Sequence, residues 1–311
     1  MAKVVLATVL FIFGVLLFSA MFADFFETTP STTTSVEQEV GLTNPSYSEI
    51  NQLLTDKALE NNVPPEVVKA VAYRESRWRQ FEDGEPLISF DNGIGIMQVT
   101  DTGYDTDRLK TDISYNIDIG IEILLDKAAM AGSTLPTIAN ADWRDIEYWY
   151  FPVMAYNGLV HANSPIIRAT GERNQDAYQE RVFQSIRDFN PNISLSPITI
   201  SLEDLNYDEN YLLRFETDVL TLDTLGQSRY TLEEGEELVV VENGARLHDR
   251  PSDEYAEVSQ VEQGDVVTLL DVVLPEDSHF SGRNQISKSA PWFLVESSDG
   301  DEGYMEAYTL E

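Results

Sequence analysis

Residues 67–78 read Val-Val-Lys-Ala-Val-Ala-Tyr-Arg-Glu-Ser-Arg-Trp and contain the pattern that decides the fold of the first half of the chain. Val67, Val68 and Val71 recur at the spacing of one helix face, and Glu75 follows one turn later on that face. Two prolines precede the run and are typical of a helix start, because proline is tolerated in a first turn. The pattern predicts an amphipathic helix with a carboxylate on the side that should be buried.

Glu75, taken alone, has two interpretations. It is a helix-end glutamate that turns to solvent or pairs with a nearby arginine, as most helix glutamates do. Alternatively, it is a general acid, because desolvation disfavours the charged form and raises the pKa toward the range useful for protonating a leaving group. The rest of the chain decides between these interpretations.

The first residues of the chain predict a membrane segment. Residues 4–23 are apolar and uncharged, and a helix of this length spans a bilayer core of about 30 Å. Residues 1–23 are therefore predicted to be a transmembrane anchor or a signal segment, and the length of the apolar run favours the anchor. Lys3 before the run, and Asp24 and Glu27 after it, predict a single-pass membrane protein with the rest of the chain on the extracytoplasmic side. Cleavage of the segment would make the protein secreted.

The overall charge and the rare residue types exclude several kinds of partner. The 311 residues include 54 acidic and 20 basic side chains, a formal net charge of −34, which argues against nucleic acid as a partner. There is no cysteine, so disulfides and thiol nucleophiles are excluded. His161, His248 and His279 lack any metal-ligand spacing, so we predict no metal site and no cofactor.

The chain divides by composition into a series of segments. After residues 1–23, residues 24–46 are rich in Thr, Ser and Pro and read as a disordered tether. Residues 47–192 have helical periodicity, and residues 193–235 form a connector whose structure the sequence leaves open. Residues 236–311 carry short β-type runs around glycine turns, which suits a small barrel. The predicted fold class is α+β multidomain: a mainly α domain, then a small all-β barrel, preceded by one transmembrane helix.

Apolar spacing also predicts individual elements. The predicted helices are a stripe from Ile50 to Leu59, the Glu75 helix, Asn116–Ala131, Trp143–Met154 and Gln175–Phe189. The predicted strands of the C-terminal segment are Leu238–Val241, Ala256–Val261, Val266–Val273, Trp292–Val295 and Gly303–Met305.

Four short motifs follow one another at compatible spacing. They are Glu75-Ser76, then Gly95-Ile96-Met97-Gln98, then Asn116-Ile117 with Gly120, then Ala155-Tyr156-Asn157-Gly158. Together they resemble the ordered motif set of the soluble-lytic-transglycosylase family, whose fold is similar to goose-type lysozyme. The resemblance covers roughly residues 48–190. It implies a lysozyme-like catalytic domain that acts on peptidoglycan glycan strands and cleaves the β-1,4 bond between N-acetylmuramic acid and N-acetylglucosamine, leaving a 1,6-anhydromuramoyl end.

The same resemblance implies roles for individual residues. Glu75 would be the catalytic general acid and base, and the substrate-binding residues would be Ser76, Gly95, Met97, Gln98, Tyr156 and Asn157. Gly95 would let backbone approach the sugar, Met97 would supply an apolar wall and Gln98 a hydrogen-bonding amide. The hydroxyl of Tyr156 would contact Glu75 or the sugar.

Two alternatives to a transglycosylase remain open. A hydrolytic muramidase needs a second carboxylate to activate water or act as nucleophile, and Asp83, Asp91 and Asp101 are available, although each is more simply a turn residue. A non-catalytic wall-binding scaffold could retain the fold. The acid on an apolar face favours an enzyme, since a scaffold has no use for it.

The C-terminal segment carries a second resemblance. Ala245-Arg-Leu-His-Asp-Arg-Pro-Ser252, the run from Gly264, Trp292 and Gly303-Tyr304-Met305 resemble the pattern of a bacterial SH3 domain over about residues 237–310. The resemblance implies a small all-β barrel with wall peptide as its ligand.

A basic group stands out in this acidic chain. Arg74, Arg77 and Arg79 flank Glu75 and could meet the carboxylates of peptide stems on the glycan. Pairing with carboxylates of the same chain on a solvated face is the favoured interpretation.

Overall fold

The computed structural model describes residues 41–208, 212–276 and 286–311, all of which belong to one unit of the chain. The predicted membrane segment, residues 4–23, and most of the predicted tether, residues 24–46, lie outside the described residues. None of the helices in the described part is long and apolar enough to cross a bilayer.

The helical part of the described chain runs from Tyr47 to Phe189. Its helices are α1 Tyr47–Glu60, α2 Pro65–Ser76, α3 Thr106–Thr111, α4 Ile113–Ala128, α5 Tyr150–Asn157 and α6 Tyr178–Phe189. The short strands β1 Phe81–Glu82 and β2 Glu85–Pro86 form a hairpin after α2. The predicted helices at the first apolar stripe and at Glu75 are confirmed.

Three predicted helices have different bounds in the structure. The helix predicted over Gln175–Phe189 is α6, which begins three residues later at Tyr178. The helix predicted over 116–131 begins earlier, because the side chain of Asp112 accepts a hydrogen bond from Tyr115 N at 3.0 Å and caps α4. The helix predicted over 143–154 was placed wrongly. A 3₁₀ turn at Ile146–Trp149 leads into α5 instead, so that Pro152 falls in the first turn of α5, where no backbone N–H is needed.

The first two turns of helix α2 are covered on all sides rather than amphipathic. Every residue from Pro65 to Ala72 is buried, including Glu66 at 1% exposure and Lys69 at 2%. The two oxygens of Glu66 accept hydrogen bonds from Ser228 Oγ at 2.7 Å and Arg229 N at 2.8 Å. The polar face, which an amphipathic helix would turn to solvent, is therefore covered by a later part of the chain.

The predicted connector, residues 193–235, packs on the helical part. Its strands are β4 Leu205–Tyr207, β5 Leu213–Phe215 and β6 Val219–Leu220; β4 pairs with β5, and β6 lies parallel to β3 Thr137–Ile138 of the helical part. A second buried carboxylate, Glu147, accepts hydrogen bonds from Ser196 N at 2.7 Å and Gly226 N at 2.8 Å. Two buried glutamates thus bind the connector to the helical part.

The C-terminal region is rich in strands. They are β7 Glu237–Val239, β8 Ala245–His248, β9 Glu257–Val261, β10 Val266–Val273, β11 Trp292–Ser297 and β12 Glu302–Glu306. They form one antiparallel sheet in the order β7-β10-β11-β12-β8-β9 around a separate apolar core. The predicted span of β10 is confirmed. The separate strand predictions omitted β8, which lies in the run that carries the SH3 resemblance.

The charge state of Lys69 gives a test of this packing. Its Nζ donates hydrogen bonds to Tyr230 Oη at 2.6 Å and to the carbonyl of Ser289 at 3.3 Å. Burial lowers the pKa of Lys69 to about 7, although the negative charge of Glu66 opposes this shift. Between pH 7 and the unfolded pKa, the unfolded chain binds one more proton than the folded chain, so this residue makes stability rise with pH.

We expect Lys69→Met to remove this contribution. Between about pH 8 and 10, the free energy of unfolding of the variant should rise with pH less steeply than that of the wild type, by about 1.4 kcal/mol per pH unit. Urea unfolding across this range measures the slope. Lys57→Met is the matched control, because Lys57 pairs with Asp118 at 2.9 Å and its pKa is raised, not lowered. Equal slopes in wild type and Lys69→Met would contradict the assignment.

Candidate active site

Two buried amides hold the glycine-rich loop beside the end of α2. Gln80 Oε1 accepts a hydrogen bond from Ile96 N at 2.9 Å, and Asn116 Oδ1 accepts one from Met97 N at 2.9 Å. Both amide nitrogens donate in turn to the carbonyl of Leu109, at 2.8 and 3.0 Å. Because Gln80 and Asn116 are almost completely buried, these bonds fix the path of the loop.

Gly95 is required by this arrangement. Its φ is +71°, and a Cβ at this position would lie 2.4 Å from Gln80 Oε1 and 2.5 Å from Asn116 Nδ2. The same loop packs on α4 at Gly120, where a Cβ would lie 2.5 Å from Met97 Cβ. Two glycines therefore let the loop lie against the amides on one side and the helix on the other.

Glu75 lies in the last turn of α2, is half-buried, and accepts a short hydrogen bond on Oε1 from the hydroxyl of Tyr178. Burial raises the pKa of Glu75 to about 7; the hydrogen bond from Tyr178 lowers it, and the charge of Asp91 adds to the rise. Between about pH 4.5 and pH 7, where an ordinary glutamate is mostly ionised, the carboxyl group of Glu75 is therefore mostly protonated. This is the property required of a general acid at neutral pH.

Tyr156 and Asn157 are the last two residues of α5. Tyr156 Oη donates to the carbonyl of Met97 at 2.8 Å and not to Glu75, so the contact expected of Tyr156 is made by Tyr178. Burial and the charge of Glu75 both raise the pKa of Tyr156 well above its usual value, so its hydroxyl stays protonated. Asn157 is exposed at the rim of the site, and its Oδ1 accepts a hydrogen bond from Asn163 Nδ2 at 3.0 Å.

The other predicted site residues lie behind the surface of the site or at its edge. Ser76 is buried, and its hydroxyl donates to the carbonyl of Ile96 at 2.8 Å, so it supports the loop. The side chain of Met97 is fully buried and presents no wall to a ligand. Gln98 is half-buried and turns its Nε2 back to the carbonyl of Gly95 at 2.8 Å.

A cavity of about 310 Å³ opens in front of Glu75. It is lined by Arg74, Glu75, Asn157, Ala162, Asn163, Asp176, Tyr178 and Arg181, so Glu75 and Asn157 are the predicted site residues that line it. Phe90, at the tip of the loop that carries Asp91, is fully exposed. In the described residues, no group of three or more His, Asp or Glu side chains is arranged to hold a metal ion.

Three functional positions were missed by the sequence analysis. Tyr178 falls within the helix predicted over Gln175–Phe189, where its apolar neighbours indicate core packing, and no sequence pattern singles out Gln80. Asn163 joins the end of α5 to the start of α6, because its amide reaches the carbonyl of Gly158 at 2.8 Å and its carbonyl accepts from Gln179 at 3.0 Å. The sequence offers one signal for Tyr178: it is a tyrosine at the start of the apolar stripe of its helix. Packing of the ring in the core explains that position equally well.

Comparison with known proteins supports the interpretation of this part of the chain. Residues 52–179 match the family model of the transglycosylase SLT domain. The matched range includes Glu75, the loop at Gly95–Gln98, the end of α5 and Tyr178. The match supports a helical transglycosylase SLT domain, which is followed by a strand-rich C-terminal region, and it supports peptidoglycan cleavage of the lytic transglycosylase type in general. Neither a curated protein nor a solved structure matches the chain.

The need for glycine at position 95 can be tested on stability. Gly95→Ala combines a left-handed backbone with a collision against buried amides, and should lower the free energy of unfolding by roughly 3 kcal/mol or more. Gly244→Ala is the matched control, because Gly244 has a φ of +64° and open space around it. It should cost only about 1 kcal/mol. Equal losses in urea unfolding would show that the amides do not enforce glycine.

The pKa of Glu75 can be moved in two directions. Tyr178→Phe removes a donor to the ionised carboxylate, so the pKa of Glu75 should rise above about 7. Asp91→Asn removes a negative charge, so the pKa should fall. Carbon NMR of the labelled Glu75 carboxyl group measures both without relying on activity. Shifts of the same sign in the two variants would contradict the roles of Tyr178 and Asp91.

Proposed function

We propose that the protein is a peptidoglycan lytic transglycosylase in which Glu75 acts first as acid and then as base. The observation that carries the proposal is the half-buried Glu75, with a pKa of about 7, at the mouth of a cavity within the matched domain. The bond cleaved is the β-1,4 link between N-acetylmuramic acid and N-acetylglucosamine. The product carries a 1,6-anhydromuramoyl end.

The contacts of Glu75 support this sequence of proton transfers. Tyr178 donates to Oε1, so the acidic proton of the neutral carboxyl group belongs on Oε2. Oε2 gives this proton to the glycosidic oxygen as the bond to C1 breaks and an oxocarbenium-like centre develops. The resulting carboxylate accepts the proton of the C6 hydroxyl of the N-acetylmuramic acid residue. The C6 oxygen then forms a bond to C1 of that residue. Glu75 ends protonated again.

The hydrogen bond from Tyr178 balances the two halves of this cycle. It stabilises the ionised carboxylate that forms after the first proton transfer, and so opposes part of the effect of burial. Burial alone would make Glu75 a poor donor of its proton, while full exposure would leave it ionised and unable to act as the acid. A pKa near neutrality suits a group that must serve in both roles.

A hydrolytic muramidase is the second candidate function. Asp91 is the one of the three aspartates considered from the sequence whose charge acts on Glu75. In a hydrolase, it would have to lie about 6.5–9.5 Å from Glu75 to activate water, or about 5–5.5 Å to act as nucleophile. Asp91 is exposed at a loop tip and accepts a hydrogen bond from Ser89, which is the ordinary use of an aspartate in a turn. A transglycosylase needs no second carboxylate.

A non-catalytic scaffold is the third possibility and is the least supported. The pKa of Glu75 is higher in the folded protein than in the unfolded chain. The free energy of unfolding therefore falls as the pH rises from the unfolded pKa to the folded pKa. A scaffold gains nothing from that cost.

We propose that the enzyme works outside the cell, tethered through residues 4–23. We also propose that the strand-rich region, residues 236–311, is a bacterial SH3-like module with wall peptide as its ligand. Trp292 is 1% exposed, with its ring against His248. It lies outside the apolar core cluster of that region and lines two cavities together with Asp253 and Glu306. Periplasmic or surface protease accessibility of the full-length chain in intact cells tests the location.

Glu75→Gln should abolish most of the activity. Loss of general acid–base catalysis lowers the rate by roughly 10²–10⁴-fold, measured as release of soluble fragments from purified peptidoglycan by the full-length chain in non-ionic detergent. Mass spectrometry of the products should find anhydro ends. Reducing ends would instead support the muramidase, and Asp91→Asn should then be as inactive as Glu75→Gln.

Unfolding must be excluded as the cause of the loss. Glu75→Gln removes a carboxyl group whose ionisation is unfavourable in the fold, so at about pH 8 the variant should be at least as stable as the wild type. Equal activity of Glu75→Gln and wild type would sink both enzyme candidates.

A further inference from the structure

Arginine is concentrated in one cavity next to the candidate active site. A cavity of about 370 Å³ is lined by Arg74, Arg173, Gln175, Glu180, Arg181, Gln184 and Arg187. Four of the twenty basic residues of the chain therefore face a single acidic residue, in a protein with a net charge of −34. A local excess of positive charge in so acidic a chain needs an explanation.

The helices α2 and α6 create this arginine pocket. Glu180, Arg181, Gln184 and Arg187 share one face of α6 at helical spacing. Arg74, in the last turn of α2, reaches across and donates from Nε to the carbonyl of Arg181 at 2.8 Å. The pocket is thus fixed by the same helix contact that places Tyr178 on Glu75.

Among residues 41–208, 212–276 and 286–311, the carboxylates near the pocket offset its positive charge only in part. Arg173 pairs with Glu180 at 2.6 Å, and Glu180 also accepts a hydrogen bond from Tyr150 Oη at 2.6 Å. Among the described residues, Arg74, Arg181 and Arg187 make no ion pair within 4 Å. Burial and the charge of a neighbouring arginine both lower the pKa of Arg74 and of Arg187, which is the sign of cations held together without a full set of counter-ions.

The pocket adjoins the cavity at Glu75. Arg74 and Arg181 line both spaces. A ligand whose sugar ring lies at Glu75 can therefore extend a substituent over Arg74 and Arg181 toward Arg187.

We propose that the arginine pocket binds the carboxylates of the peptide stem attached to the sugar that is held at Glu75. This inference rests on the proposed function and adds a substrate requirement to it: the preferred glycan carries uncleaved stems next to the bond that is cut. Guanidinium groups suit this ligand because their planar fork pairs with a carboxylate through two parallel hydrogen bonds.

The distribution of the flanking arginines differs from the one expected from the sequence. Arg79 pairs with Glu82 and Arg77 donates to Tyr73 Oη at 3.1 Å, so these two residues make contacts within their own segment. Arg74 instead donates a hydrogen bond to the carbonyl of Arg181 and lines the arginine pocket with residues about a hundred positions further along the chain. The favoured interpretation, pairing on a solvated face, therefore holds for Arg79 and not for Arg74.

The surrounding charge favours a ligand that is already docked by its sugar. The chain as a whole repels anions, so a free anion gains little on approach. A stem tethered to a bound sugar has a high effective concentration at the pocket. Phosphodiester polymers of the wall offer the same anionic chemistry, but they are repelled along their length by the rest of the acidic surface.

Binding measurements test this proposal separately from catalysis. Full-length protein in non-ionic detergent is titrated calorimetrically with a reduced N-acetylglucosaminyl-N-acetylmuramic acid disaccharide, with and without a tetrapeptide stem. The stem should tighten binding roughly tenfold, as expected for charge-assisted hydrogen bonds that remain partly solvated. Raising the salt to about 0.5 M should remove most of this difference, because the pocket is open to solvent.

Substitutions assign the effect to the pocket. Arg187→Gln and Arg181→Gln should each reduce the ratio of the two dissociation constants toward one, and the thermal midpoint of each variant checks that it is folded. Arg144→Gln is the matched control: it removes the same charge from an exposed arginine that pairs with Asp142 and lines neither cavity, so the ratio should not change.

Three results would overturn the proposal. The first is equal binding of the two disaccharides by wild type. The second is a stem preference that persists in both arginine variants. The third is tighter binding of a glycerol phosphate oligomer than of the stem-bearing disaccharide at the same arginines. An enzyme that fails to cleave glycan but keeps the arginine-dependent stem preference would refute the proposed function and leave this inference standing.

Discussion

The burial of residues 65–72, the first two turns of α2, is the constraint on which the rest of the structure depends. A helix that carries Glu66 and Lys69 on one side cannot be surrounded by protein unless each group finds a partner, because an unpaired buried charge is costly. The connector and the C-terminal region supply those partners through Ser228, Tyr230 and the carbonyl of Ser289. The polar groups of one helix therefore contact both the connector and the strand-rich region, and Glu147 adds a second contact to the connector.

The same helix carries carboxylates with opposite uses. Glu66 is fully enclosed and receives a hydroxyl and a backbone N–H, so both of its oxygens are satisfied by the fold. Glu75, more than two turns later, receives one hydroxyl and faces a cavity. Burial raises the pKa of both. Within the part of the chain that the structure describes, both oxygens of Glu66 accept hydrogen bonds, whereas Oε1 of Glu75 accepts one and the side chain lines a cavity. This difference suits Glu75 to the proposed acid–base role.

Helix α6 adds two features to the end of α2. Its first turn brings Tyr178 to Glu75, and its exposed face brings Arg181 and Arg187 alongside Arg74. An acid with a pKa near neutrality and a cationic pocket thus arise from one helix contact. Moving α6 by one turn would disturb both together, so the geometry ties the proposed chemistry to the proposed preference for stem-bearing glycan.

The sequence by itself determined the elements with strong local signals: the helix that ends in Glu75, the glycine loop, the strand at Val266–Val273 and the order of helical and strand-rich regions. Local signals suffice there because apolar spacing and glycine placement act over a few residues. Tertiary structure alone decided that the first two turns of α2 have no solvent face, that Tyr178 rather than Tyr156 donates to Glu75, and that Arg74 contacts α6. Those outcomes depend on which distant side chain fills a given space, and the residues involved are about 100 to 160 positions apart. No spacing rule within one helix contains that information.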